Sequence, residues 1–436
     1  MRILANDIKK QSGKVATIQG WLHKKRLLGG LTFINVRDRS GLVQIVVEDK
    51  KEVEKLRGMQ IGTVLEVEGK VHDEERAPGG AELREPKLTV LVPVNDEPPI
   101  EIDKPLSHKS EHLETLFDNR VIGLRNLQET AIFRIQATIC KLLREYFAQK
   151  DFTEIHSPKL LAEPTEGGAE VFTMDYFGKT ATLAQSPQFY KQMAVGIFER
   201  VYEIAPVYRA EPSATTRHMT EYVSVDGEMG FITLKDLELL LGELLHFVVE
   251  GVWKEHETEL KRWNATKPVL TKEVPVISMA EIHEKYSKAT GENSVGEKDL
   301  RPDEERWICD YAKKNLGSEA VFVSEWPADE MKFYHKANEK DPKVADRVDL
   351  LFRGVEITTG SMRENRYETV VAQLKQLANG DPNDPGFLPL LTAMKYGMPT
   401  HGGFGLGLER LTQKIIGFNN IKEVALFPRD INRLAP

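Results

Sequence analysis

Cysteine is nearly absent. Cys140 and Cys309 are the only two in 436 residues, and neither stands at zinc-ligand spacing. A disulfide scaffold and a Cys-x-x-Cys metal module are thereby excluded, and a reducing cytoplasm is the expected compartment. Cys140 falls on the apolar side of a helical pattern, where a free thiol reads as a small buried hydrophobe. Long apolar runs are missing too. No stretch approaches the ~20 residues that cross a bilayer, and the start, MRILANDIKK, is too polar for a secretory leader. Positive charge is not in excess: 59 Lys and Arg against 67 Asp and Glu leave a formal −8. Any nucleic acid must therefore be met by a local basic surface. There is no internal repeat, no low-complexity tract, and no Ser-His-Asp or Cys-His set to suggest covalent catalysis. What remains is an ordinary globular composition, 41% hydrophobic and 29% charged, long enough for two or three domains.

Residues 1 to 95 read as five short strands: Ala16–Leu22, Leu31–Arg37, Leu42–Val47, Thr63–Val71 and Leu88–Val92. In the fourth, Leu65, Val67 and Val71 share one face while Glu66, Glu68 and Lys70 share the other. Five strands in this length predict a small Greek-key barrel of the oligonucleotide-binding type. A loop expected after Trp21 holds His23, Lys24, Lys25 and Arg26, a mixture suited to single-stranded RNA or, equally, to an ordinary hydrated turn. Asp96-Glu97-Pro98-Pro99 opens a hinge, residues 96–127. Residues 128–436 form the second domain. Ile132, Ile135, Ile139, Leu142, Leu143 and Tyr146 keep helical spacing, and a strand at Phe152–His156 and Pro158 follow. Residues 230 to about 345 read as a largely helical insertion.

The chemistry concentrates in three places. In VYRAEPSATTRHMTEYVSVDGEM, Arg209 and Glu211 stand two apart on an expected strand, so they would share a face. A loop with Arg217 and His218 follows, then Tyr222. Arginine can clamp a phosphate or carboxylate through two parallel hydrogen bonds. Alone, an Arg and a Glu at this spacing is as readily a solvated surface pair. Upstream, Thr165 to Glu170 is an acidic, glycine-hinged loop, and Gln185 to Gln192 gathers Ser186, Gln188 and Lys191. Near the C-terminus, strands carry Asp349, Glu356 and Thr359, then Arg363, and HGGFGLGLERLTQKIIG runs a glycine-rich strand into a helix near Leu408. A helix N-terminus favours anions, and Arg410 in its first turn adds a cation.

In this order the long helix with its Pro, the R-x-E loop R-H run and G-x-G-x-E-R resemble motifs 1, 2 and 3 of the class II aminoacyl-tRNA synthetases. Nearly the whole chain is similar to the aspartate, asparagine and lysine subclass, and within it to the compact archaeal aspartyl type. The resemblance implies an α+β protein: a five-stranded anticodon-binding barrel of the OB type, then a six-stranded antiparallel sheet flanked by helices, assembled as a homodimer through motif 1. It implies activation of L-aspartate by ATP with Mg2+, then transfer to tRNA. By motif, Arg209 would bridge the α-phosphate and the aspartate carboxylate, and Glu211 would hold the adenine amino group or the acceptor end. Arg217 and His218 would meet the outer phosphates, while Tyr222 and Arg410 enclose adenine against Gly405 and Gly407. Asp349, Glu356 and Thr359 would hold the metal; the family more often has serine at the last position. Glu166 and Glu170 would lie in a closing loop, Ser186 and Gln188 would fix the amino acid, and Lys191 and Arg363 would face its side-chain carboxylate. On the barrel, His23, Lys24, Arg26, Phe33 and Pro78 would read the anticodon. His23 and Pro78 resemble the pattern of relaxed members that aspartylate both tRNA(Asp) and tRNA(Asn), with an amidotransferase completing the second product. Two other readings stay open: an asparaginyl enzyme, and a synthetase-like paralogue that charges no tRNA.

Overall fold

The computed structural model describes residues 1–28, 31–164 and 170–435. Contacts divide the chain into two units, Met1–Thr130 and Ala131–Pro436.

The first unit is built on a closed barrel of β1 (Val15–Leu28), β2 (Leu31–Arg37), β3 (Leu42–Val47), β4 (Val64–Asp73) and β5 (Ala81–Val92), ordered β1-β2-β3-β5-β4. The period of two in β4 works as expected: Leu65, Val67 and Val71 are fully buried, and Glu68 and Lys70 are exposed. Ile18, Leu22, Ile34 and Ile45 complete the core, and helix Lys50–Gly58 adds Val53 and Leu56. Asp49 starts that helix by accepting from the Lys51 and Glu52 N–H groups. One expectation fails here. His23, Lys24, Lys25 and Arg26 are not a loop, because β1 continues past Trp21 and pairs with β2 as far as Leu28↔Leu31. Cationic residues do not break a strand whose neighbour supplies the ladder. In the segment that follows the barrel, buried Glu129 accepts from His108 Nε2 at 2.6 Å and from buried Arg120 at 3.2 Å.

The second unit carries an eight-stranded sheet. Its order is Val276–Ser278, Ala320–Ser324, Arg347–Phe352, Val355–Arg363, His401–Gly407, Glu221–Gly230, Arg200–Tyr208 and Thr153–Glu154. The interior pairs are antiparallel, and the outermost pair at each edge is parallel. Ala320–Ser324 through Arg200–Tyr208 are the six antiparallel strands expected, and Val276–Ser278 and Thr153–Glu154 add a parallel strand at either edge. Val276–Ser278 and Ala320–Ser324 come from the stretch read as a helical insertion within this domain, whose helix Leu234–Arg262 sends Leu237, Leu241, Leu244 and Val248 into the main core. Its even spread of apolar residues hid the two short strands. Helix Leu127–Gln149 contributes Ile132, Ile135, Ile139, Leu142, Leu143 and Tyr146 to the same core. Cys140 is half-buried beside it, and Cys309 is buried, its thiol pushed up to about 12 by burial.

Alternation in the central strand Glu221–Gly230 decides where the chemistry goes. Val225 and Met229 enter the core, while Ser224, Asp226 and Glu228 alternate onto the other face. Register then sets Asp226 opposite Gly405 and Glu228 opposite Gly403, with Thr359 and Ser361 opposite the same two glycines from the next strand.

Candidate active site

A cavity of about 360 Å3 opens on that face. It gathers residues from five separate stretches: Ser186, Gln188 and Lys191; Arg209, Glu211, Arg217, His218 and Tyr222; Glu356, Thr359 and Arg363; Gly405, Gly407 and Arg410; and Tyr334 with His335. Every candidate of this domain is present except Asp349, Glu166 and Glu170. Asp349 lies outside the lining. Glu166 lies outside the described residues, and its loop neighbour Glu170 is exposed.

At one end the charges are buried. Lys191 stands in the first turn of helix Gln188–Phe198 and is 2% exposed, which a surface helix lysine is not. Its Nζ donates to Asp226 Oδ1 at 2.7 Å and to the Phe404 carbonyl at 2.8 Å, and stands 3.8 Å from Glu228 Oε2. Arg363, at the end of its strand, donates from Nε and Nη2 to the two Glu228 oxygens at 2.8 and 3.2 Å, and from Nη1 to Ser361 Oγ at 2.6 Å. Burial alone would raise the Glu228 carboxyl; Arg363 and Lys191 hold it below its usual value. Gly403 makes this possible, because a Cβ there would lie 1.9 Å from Glu228 Oε2. The Gln188 Nε2, in the same cavity lining, is a buried donor with no partner among the described residues. Sequence reading missed Asp226 and Glu228. The available signal was two acids two apart in an otherwise apolar strand, a costly placement unless cations meet them.

At the other end the cations are open. Arg209 and Glu211 do not share a strand face as expected: the strand ends at Tyr208, and Arg209 N–H donates instead to the Thr220 carbonyl across the loop mouth. The Arg209 guanidinium stands 5.9 Å from the Tyr222 ring centre. Arg217 pairs with Glu305, and His218 Nδ1 and Thr215 Oγ1 are 2.9 Å apart. The His218 imidazole is lowered by burial and, in smaller part, by Arg410, Arg217 and Arg209, with Glu211 opposing. Arg410 sits in the first turn of helix Leu408–Ile416, and its Nη1 donates to the Glu356 carbonyl at 2.8 Å. In the same turn, buried Glu409 accepts from the Val223 N–H at 3.1 Å, and burial pushes its carboxyl up to about 7.

Among the described residues no three His, Cys, Asp or Glu gather as a closed metal cage. The donors present suit a looser site. Thr359 Oγ1 donates to Glu356 Oε1 at 2.8 Å. Asp349, opposite Thr359 in the ladder, is held by Arg347 at 3.1 and 2.7 Å. Burial, and to a lesser degree Glu356, push the Asp349 carboxyl up to about 7 against Arg347. Two carboxylates that disfavour each other's charge, with a hydroxyl between, fit a hard cation that keeps waters and shares phosphate oxygens.

On the barrel a separate cavity of about 330 Å3 is lined by Lys24, Arg26, Phe33 and Pro78, with Leu28, Asn35, Gln44 and Arg76. Cross-strand pairing explains the set: Lys24 lies opposite Asn35 and Arg26 opposite Phe33. Lys25 points the other way and caps helix Lys50–Gly58 through three carbonyls. His23 does not join the cavity. It is 8% exposed, and burial and Arg37 lower its imidazole. It sits in the bulge between Leu22 and Lys24 and is buried there, so the expectation that it offers an edge to a base in that cavity is corrected.

The cavity thus joins open arginines at one end to buried, paired cations at the other. A family model described as tRNA synthetases class II (D, K and N) matches residues 112–431, and one described as an OB-fold nucleic acid binding domain matches residues 16–91. The chain belongs to the class II tRNA synthetases of the D, K and N group. It is 40% identical to an aspartate–tRNA(Asp/Asn) ligase of Thermus thermophilus, covering 100% of both chains. It is 38% identical to an aspartate–tRNA(Asp) ligase of Pyrococcus horikoshii, covering 99% of each. Among solved structures it superposes on the asparaginyl-tRNA synthetase of Pyrococcus horikoshii complexed with asparaginyl-adenylate, with a TM-score of 0.91, 30% identity and 100% of both chains covered.

Proposed function

We propose that this protein is an ATP-dependent aspartate–tRNA ligase acting on both tRNA(Asp) and tRNA(Asn). The observation that carries the amino-acid assignment is the buried Lys191–Arg363 pair at the closed end of the cavity. Two cations converge there, which suits a side-chain carboxylate. The substrate's own α-carboxylate attacks the α-phosphorus of ATP. One P–O bond forms, the bond to the β-phosphate oxygen breaks, and pyrophosphate leaves. Arg209 orients the reacting carboxylate and phosphate, Arg217, His218 and Arg410 neutralise the departing phosphates, and Tyr222 stacks on adenine. Positioning and charge neutralisation are then the whole of the catalysis. Mg2+, held by Glu356 and Asp349 with Thr359, would supply Lewis-acid neutralisation of the phosphates. A ribose hydroxyl of the tRNA end then displaces AMP from the activated carboxyl.

The barrel cavity, with Lys24, Arg26, Phe33 and Pro78, is the proposed anticodon contact. Pro78 brings no side-chain donor to separate one base from another, which supports relaxed tRNA choice, as does the 40% identity to ligases named for both tRNAs. A cytoplasmic homodimer is part of the same reading, as is an amidotransferase that converts the aspartyl group on tRNA(Asn). The test is charging of the two tRNA transcripts with labelled aspartate and asparagine. We expect aspartate on both, with kcat/KM values within about a hundredfold, the limit that one missing base contact leaves open. Efficient asparagine activation instead would favour the asparaginyl reading.

A further inference from the structure

The amino-acid end of the cavity is electrically balanced before a substrate arrives. Lys191 and Arg363 are matched by Asp226 and Glu228. A side-chain carboxylate therefore brings one negative charge too many, and oxygens that need further donors. One donor stands beside the pair. His335 is buried, lines the cavity, and lies opposite Arg363 in an isolated antiparallel bridge. Residues opposed in this way carry their side chains to the same side.

The ring is held in place. The His335 N–H donates to the Lys332 carbonyl at 3.0 Å, and the Lys332 N–H donates back to His335 Nδ1 at 3.3 Å. The Tyr334 ring packs at right angles to it, 4.8 Å between centres. A nitrogen that accepts carries no proton, so the neutral imidazole has its proton on Nε2. Neutrality follows from the surroundings: burial, then Arg363, Arg347, Lys332 and Lys191, hold the group well below its ordinary value. The ring thus has one donor to spend and no second acceptor, and inverting it would break the Lys332 bond.

We propose that His335 is a specificity-determining residue of the amino-acid subsite: its Nε2–H, held in that tautomer by the Lys332 N–H, donates to the substrate's side-chain carboxylate and disfavours a carboxamide. The inference rests on the aspartate reading above.

The experiment is ATP–pyrophosphate exchange by the full chain, titrating aspartate, asparagine and ATP separately, for H335L, H335N and H335Q. Glutamine can place an N–H near the Nε2 position, whereas leucine cannot and asparagine is too short. We expect H335L and H335N to raise the KM for aspartate about tenfold or more, the worth of one hydrogen bond to a charged group. The KM for ATP should hold, the preference for aspartate over asparagine should fall, and H335Q should recover most of both. Should H335L not fold, H335Q against H335N decides alone. A KM for aspartate within about twofold of the unmodified enzyme in H335L or H335N, or an H335Q as impaired as H335N, overturns the inference, since one lost charged hydrogen bond exceeds that change. An unmodified enzyme that activates no aspartate overturns the functional reading itself, which separates the two failures.

Discussion

The two ends of one cavity handle charge in opposite ways. At the closed end, Lys191 and Arg363 are 2% and 3% exposed and already carry Asp226 and Glu228 as partners. At the open end, Arg209 is exposed and Arg217 and Arg410 are half-buried. The reason is solvation. An unpaired charge away from water costs several kcal/mol, so cations at the closed end must be matched within the fold. At the open end Arg217 and Arg410 keep solvent contact as well as their partners Glu305 and Glu356. The closed end is consequently rigid and suited to selecting a side chain. In the proposed function the open end meets the charge that develops during the reaction.

The comparison breaks first at Glu228. Glu228→Ala leaves Arg363 without its carboxylate, and we expect destabilisation of about 3–5 kcal/mol, read by urea or thermal unfolding. Because the Glu228 carboxyl is held below its ordinary 4.5, its contribution is present above that pH and is lost as pH falls through the lower folded value. The unmodified protein should show that acid loss and the variant should not. At the open end the outcome inverts. Arg410→Ala should slow aspartyl-adenylate formation by about a hundredfold to a thousandfold while the melting temperature stays close to that of the unmodified protein. If Arg410→Ala unfolds the chain, or Glu228→Ala does not weaken it, the two ends are not organised as described.

A finer test lies at Glu409, between the ends. Its folded value of about 7 exceeds the ordinary 4.5, so the folded state holds the extra proton between those values, and stability from this group falls as pH rises from 4.5 to 7. Glu409→Gln keeps an acceptor for the Val223 N–H and removes the titration. Its stability relative to the unmodified protein should improve across that window, and a flat difference would show that the carboxyl is not displaced. The smallest effect belongs to the barrel. Lys24→Ala should leave pyrophosphate exchange unchanged, weaken tRNA binding, and reduce the salt dependence of that binding by about one counterion.

Much of this was legible because it is local. The period of two in β4 and the helical spacing from Ile132 to Tyr146 follow from which residues must avoid water, and both stand in the structure. Motif order brought Arg209, Arg217, His218, Tyr222 and Arg410 together correctly, since each motif carries its own turn or helix start. Failures came where a neighbour outside the window decides. His23 among its cations reads as part of a loop, yet it lies at a strand bulge and is buried. The strand at Ala320–Ser324 was lost among helices because a short apolar run has no distinguishing period.

The amino-acid sequence by itself determined the barrel, the long core helix and the three stretches that carry the arginines, because strand and helix periodicity are written in residues a few positions apart. Only the tertiary structure decided how the charges are matched. Asp226 and Lys191 are 35 residues apart, Arg363 and Glu228 are 135 apart, and Gly403 must lack a side chain for the second pair to form. Such a match depends on sheet register and on which face each strand turns to the cavity, and neither is encoded in any single stretch of the chain.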